Sequence, residues 1–206
     1  EPKRPAQLDL AGTLPGRTRG VAALALSGTP IGGKLRLQSE DWPRFAQWGG
    51  QVAPQAAGAL RSLSARDAEI VADLAARPGG FDLEGLTLTL GKTQLSGRAG
   101  FRGAAPGQRA LLSAELAAPA LDLDALPDLS AIEAGAFDLS LKLDARAVRM
   151  ARAGQAPISA GQIALAMTRD AGGVRLERLR LEDIAGAQVE AKANFSRDGG
   201  YVEFFS

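Results

Sequence analysis

Ala187-Gln-Val-Glu-Ala-Lys-Ala-Asn-Phe-Ser196 alternates apolar and polar side chains without a break. Successive side chains of an extended chain point to opposite faces, so these residues read as a half-buried β-strand of about 33 Å. The same spacing recurs upstream. Phe137, Leu139, Leu141 and Leu143 are interleaved with Asp138, Ser140, Lys142 and Asp144. Leu86, Leu88 and Leu90 alternate with Thr87 and Thr89, and Leu95, Gly97, Ala99 and Phe101 stand against Ser96, Arg98 and Arg102. Leu35 and Leu37 repeat the pattern, and weaker versions cover Gln7 to Leu14, Val21 to Ser27, Leu111 to Ala118 and Gly161 to Thr168.

Between these runs stand turn signals: Pro15-Gly16, Ile31-Gly32-Gly33, Gly91-Lys92, Ala171-Gly172-Gly173 and Asp198-Gly199-Gly200. Close spacing and short turns imply antiparallel meander connections. In Val174 to Leu181 the apolar positions change parity between Leu176 and Leu179, which predicts a β-bulge or a strand break near Glu177-Arg178. Asp41 to Arg77 breaks the alternation. There Trp42, Phe45 and Trp48, then Leu60, Leu63, Ile70, Val71 and Leu74, fall near helical spacing, and Ser64 with Asp67 has capping-box spacing. Two helices are expected, near 41–48 and 65–76, with a further turn of helix at Leu123 to Leu129.

Composition removes most catalytic chemistry. The 206 residues include no His and no Cys, which excludes Ser-His-Asp and Cys-His nucleophiles, His/Cys zinc sites, haem and iron–sulfur ligation. A glycosidase using carboxylates alone would offer an aromatic-rich cleft, and 2 Trp with 1 Tyr do not make one. Neither a catalytic set, a metal site nor a cofactor is therefore expected. Asp122 and Asp124 fit capping and turn duty, and Gly97-x-x-Gly100-x-x-Gly103 lacks the features of a dinucleotide or phosphate loop.

Charge names no partner, since 24 basic against 23 acidic residues leave +1. Arg146, Arg149, Arg152, Arg169, Arg175, Arg178, Arg180 and Arg197 make the C-terminal third look basic, but acids are interspersed and aromatics for base stacking are missing there. They read as a solvated sheet face and not a nucleic-acid surface, some being placed to meet lipid phosphates at a groove rim. Trp42, Phe45 and Trp48 fit a helix packed on a sheet better than a membrane-interface foot. The longest continuous apolar run, Val21 to Leu26, is far short of the roughly 20 residues of a spanning helix. A start at Glu1-Pro2-Lys3-Arg4 leads us to expect a piece of a longer protein.

Gly85-Leu-Thr-Leu-Thr-Leu90, Leu95-Ser-Gly-Arg-Ala-Gly-Phe101 and Leu121-Asp-Leu-Asp-Ala-Leu126 resemble the recurring block of the AsmA family of Gram-negative bacteria. So do Phe137-Asp-Leu-Ser-Leu-Lys-Leu143, Gly161-Gln-Ile-Ala-Leu165, Gly173-Val-Arg-Leu-Glu-Arg-Leu179 and Ile184-Ala-Gly-Ala-Gln-Val-Glu-Ala191. The resemblance implies a non-enzymatic cell-envelope protein of the periplasm, tethered to the inner membrane by a segment outside this chain and acting in outer-membrane biogenesis. Larger members are grouped with bridge-like lipid-transfer proteins built from β-grooves, which makes phospholipid the expected ligand and lipid transport the expected role.

Together these readings give a mainly β fold: a curved antiparallel sheet of many short strands, groove-like or half-barrel, with a helical segment around 41–77 packed on it. One domain is expected over 1–206, with sub-units 1–80 (strands plus helices) and 81–206 (β-meander). Phe137, Leu139, Leu141, Leu143, Ile163, Leu165, Met167, Val189 and Phe195 are the expected apolar face. Periodicity leaves two arrangements open for that face. It lines a lipid groove, or it fills a closed scaffold domain without ligand, whose edge strands dock onto neighbouring repeats or other envelope proteins.

Overall fold

The computed structural model describes residues 6–26, 30–52, 66–123, 137–152, 155–184, 186–196 and 199–205. They form one open sheet of thirteen strands carrying a single short helix. The strands are β1 (Gln7–Leu14), β2 (Thr18–Ala25), β3 (Ile31–Ser39), β4 (Ala68–Arg77), β5 (Gly80–Leu90), β6 (Thr93–Arg102), β7 (Leu111–Ala118), β8 (Leu121–Asp122), β9 (Asp138–Arg152), β10 (Gln155–Asp170), β11 (Gly173–Ile184), β12 (Ala187–Ser196) and β13 (Gly199–Phe205). The helix α1 (Trp42–Val52) follows β3.

Strands neighbour one another in chain order and antiparallel, with one departure from the expected meander. β7 and the two-residue β8 both pair with β9 in parallel, Leu112 opposite Leu139 and Leu121 opposite Val148. β9 and β10 also run to 15 and 16 residues, longer than the short strands expected. The sheet passes from β4 to β5 without interruption, Arg77 opposite Gly80.

Of the bulge or strand break expected near Glu177-Arg178, β11 has the bulge: Ala166 pairs with Arg178 but Met167 with Leu176, so Glu177 is the extra residue. β5 carries another at Glu84-Gly85, where Gly85 adopts φ 56. Each extra residue resets the parity, so that Leu83 and Leu86, like Leu176 and Leu179, stay on one face. Bulges also bend the strand that holds them, which helps the sheet curl.

Two further expectations fail. The residues expected as a helix over 65–76 form strand β4 from Ala68 onward; Leu60, Leu63 and Ser64, which carried much of that expectation, lie outside the described residues, as do 124–129 of the expected turn of helix. β4 is a strand because Ala68, Ile70, Ala72, Leu74 and Ala76 alternate, and each pairs with an inward residue of β3 or β5. The β-branched pair Ile70-Val71 also favours extended backbone. The second failure is Gly32-Gly33, expected as a turn and found inside β3.

Gly33 is there because β2 comes close: a Cβ built on it runs into the Ala23 carbonyl oxygen. Gly32 has room, its nearest neighbour being the Leu74 carbonyl oxygen at 3.7 Å. Gly33→Ala is therefore expected to destabilise by about 1–3 kcal/mol in chemical denaturation, with Gly32→Ala the milder of the two.

α1 begins where expected and runs on to Val52. The Arg44 N–H donates to Asp41 Oδ1 at 3.4 Å, an N-cap, and Pro43 sits in the first turn where a missing N–H costs nothing. Its start is pinned from two sides: the Asp41 N–H donates to Gly16 O (3.0 Å) and the Trp42 N–H to Arg66 O (2.7 Å). Trp42, Phe45 and Ala46 are buried, with ring centroids 5.1 Å apart for Trp42 and Phe45 and 5.7 Å for Phe45 and Trp48. The aromatic stripe thus packs the helix onto the sheet.

The main core gathers around this helix: Leu90, Leu95, Ala118, Leu121, Leu143, Val148 and Ile163 are buried in it, and Leu14 of β1 and Ile184 of β11 pack against its margin. On a flat sheet, nine strand spacings separate β1 from β11, about 43 Å, whereas an 11-residue helix is about 16 Å long. Strands this far apart on a flat sheet share one cluster with so short a helix only because the sheet curls.

Candidate functional site

Register assigns the faces. Leu8, Leu24, Gly33, Leu74, Leu83 and Ala99 are successive cross-strand partners, and the row continues through Ala114, Leu141, Met167, Leu176, Ala193 and Val202. It crosses every strand in the sheet's main order without one polar side chain. Leu24, Leu74, Leu83, Ala99, Ala114, Leu141, Met167 and Leu176 are half-buried, and Leu8 and Val202 at the two edges are exposed. A face inside a closed sandwich would be buried throughout. Among the described residues only α1 packs on this one, so it is a trough, plugged at one end.

The plugged end lies at the C-terminus of β3 and the N-terminus of β4. There the inward polar groups find partners: Thr18 Oγ1 donates to Ser39 Oγ (2.8 Å), which donates to Gly16 O (3.4 Å). At the open end a smaller cluster of Phe101, Ala110 and Phe137, flanked by Phe81 and Leu112, closes part of the floor, with Phe81 and Phe101 stacked at 5.9 Å.

The nine expected face residues all point inward, but to different depths. Leu143 and Ile163 belong to the core under the helix, with Leu165 at its margin. Phe137 is buried in the open-end cluster, and Leu139 is buried beside it in β9. Leu141, Met167 and Val189 are half-buried along the trough, and Phe195 is 49% exposed.

The outward face carries the charge. Arg98, Glu115 and Lys142 stand opposite one another on β6, β7 and β9, with Glu115 2.6 Å from Arg98 and 3.0 Å from Lys142. The hydrogen bond from Lys142, then that from Arg98, holds the Glu115 carboxyl below its ordinary range, and Glu115 in turn raises Arg98. Arg36 with Glu69 (2.7 Å) and Arg180 with Glu190 (3.4 Å) repeat the motif. Exposed pairs of this kind fix register more than they stabilise. A shallow outward depression of about 240 Å³ lies between Asp82, Glu84 and Glu115, but Arg77 already pairs with Asp82 (2.7 Å). Among the described residues no group of three or more acidic side chains is set to hold a metal, and no helix is long and apolar enough to cross a membrane.

One residue belongs to the inward face that sequence reading placed with the solvated arginines. Arg169 stands opposite Leu139 and Val174, so it continues the inward series Ile163, Leu165, Met167. Their shared odd numbering was the available signal. Comparison with protein-family models, curated proteins and solved structures finds no match to this chain.

Proposed function

We propose that this chain is a non-enzymatic lipid-handling domain whose inward face holds phospholipid acyl chains, and that it serves outer-membrane biogenesis as a periplasmic, AsmA-like domain tethered to the inner membrane by a segment outside this chain. The observation that carries the reading is the twelve-residue apolar row, half-open to solvent across its middle. Such a row left wet has an unsatisfied hydrophobic driving force of about 25 cal/mol per Å², which acyl chains satisfy without directional contacts. Alanine and glycine at Gly33, Ala99 and Ala114 keep the floor smooth, which suits a flexible hydrocarbon better than a rigid ring system.

Native mass spectrometry of the gently purified domain, followed by organic extraction, tests this. Discrete phospholipid-sized adducts on the 21.3 kDa chain are expected. A clean apo mass, unchanged after incubation with phospholipid, would sink the lipid reading.

A second reading is supported by β13, which is exposed along its whole length with Phe204 73% exposed. It makes the domain a scaffold whose edge strand pairs with another envelope protein. A strictly monomeric species at high concentration, with no binding to strand-forming peptides, would count against it.

A further inference from the structure

A cavity of about 200 Å³ opens on the outward face at the turn between β10 and β11, away from the trough. Its walls are Thr168 and Asp170 of β10, Arg175 of β11, and Asn194 and Ser196 of β12, over the backbone at Gly173. Register sets Thr168, Arg175 and Asn194 side by side, and the row ends on Tyr201 of the edge strand β13, 57% exposed. From Thr168 to Tyr201 is three strand spacings, about 14 Å, which leaves an open aromatic ring beside the cavity.

These side chains differ from the rest of the outward face in what they touch. Arg98 and Lys142 meet Glu115, and Arg180 meets Glu190. Thr168, Arg175, Asn194 and Tyr201 make no side-chain hydrogen bond or ion pair with another described residue, although Thr168 and Asn194 are half-buried. Asp170 is held in place, its Oδ1 accepting the Gly172 and Gly173 N–H groups at 2.7 and 3.2 Å. Ser196 Oγ donates to Gly199 O at 2.9 Å and keeps its lone pairs for another donor.

Water satisfies such groups in the free protein, and a ligand displaces it without loss only by bringing matching donors and acceptors. The cavity offers both kinds: Arg175 donates, Asp170 accepts, and Thr168 and Asn194 do either. Among the described residues its walls carry one guanidinium and one carboxylate, so they have no net charge to hold a free anion. A single carboxylate is also too few for a divalent cation. A neutral molecule rich in hydroxyls meets every one of these groups. Tyr201 adds a flat apolar face with a polar tip, the surface on which the C–H face of a sugar ring stacks.

We infer that this outward face binds a neutral saccharide chain, one ring seated among Asp170, Arg175 and Asn194 and the next stacked on Tyr201. The site is independent of the lipid reading, because its row lies on the opposite face of the sheet from the trough.

Cellohexaose, maltohexaose and chitohexaose, each titrated separately into the purified domain and followed by saturation-transfer difference NMR, test this. Saturable binding of at least one is expected. Asn194→Ala and Tyr201→Ala should each weaken it about tenfold, the size of one lost contact. Arg175→Lys should weaken it similarly, since the planar fork and not the charge is what adjacent hydroxyls use. Lys34→Gln, exposed on the outward face of β3, should leave it unchanged. All four substitutions fall on exposed or half-buried positions and should keep the wild-type circular dichroism.

Absence of saturable binding to all three sugars at millimolar concentration would overturn the inference. So would binding that survives in both Asn194→Ala and Tyr201→Ala, or that falls as far in Lys34→Gln. Inorganic phosphate added alone, followed by 31P line broadening, should show no Arg175-dependent binding. Saturable phosphate binding lost in Arg175→Gln would make the cavity an anion site and overturn the saccharide assignment.

Discussion

Trp42→Ala is expected to lower the unfolding free energy by about 3–5 kcal/mol, the range for removing a fully buried large aromatic. Trp42 is 1% exposed and occupies the point where α1, the segment before β4 and the curled sheet meet. Its loss removes the ring that Phe45 packs on and leaves a void that the surrounding strands fill only by flattening. Flattening is opposed by the whole curl, since strands from β1 to β11 are anchored to the same cluster. Trp48, half-buried at the cluster's margin, is the internal comparison: Trp48→Ala should cost clearly less. Urea denaturation followed by far-ultraviolet circular dichroism measures both. A Trp42→Ala loss below about 1 kcal/mol would mean that the sheet holds its curvature without the helix.

How such a fold is read from sequence depends on which forces act locally. β12 was legible to the residue because alternation is a property of one strand facing one core, and the slip between Leu176 and Leu179 was legible as a bulge for the same reason. β4 was not. Its inward set is Ala68, Ile70, Ala72, Leu74 and Ala76, and alanine contributes so little contrast that the larger residues around it set a false helical spacing. Gly33 was misread because glycine marks both a turn and a close approach of backbones, and only the neighbour on β2 decides between them. Nothing local encodes the parallel pairing of β7 with β9, because it joins two strands that are not adjacent in sequence.

The site was half legible. Parity put nine residues on one face of the sheet, and applied one residue further it would have added Arg169. Depth was out of reach, because the difference between Leu141 and Leu143 is set by where α1 lies, not by either residue's neighbours in the chain. That difference is what separates a packed core from a trough.

Aspartate at these two positions is therefore expected to give opposite phenotypes. Leu143 is 3% exposed in the helix-covered core, and Leu143→Asp puts an unpaired carboxylate in a dry site; a loss above about 4 kcal/mol is expected, a large share of a typical total stability. Should that variant fail to accumulate, Leu143→Ala, at about 2–5 kcal/mol, reports the same site. Leu141 is half-buried in the wet row, where a carboxylate keeps much of its hydration, and Leu141→Asp is expected to cost only about 1–2 kcal/mol. Its effect should appear instead in lipid retention, because a charge across the middle of the trough makes the acyl path polar. Equal destabilisation at 141 and 143 would mean that the face is covered and dry. A folded Leu141→Asp protein retaining phospholipid like the wild type would mean that lipid lies elsewhere. Loss of lipid with the fold intact at 141, beside loss of the fold at 143, is the result that a plugged trough requires.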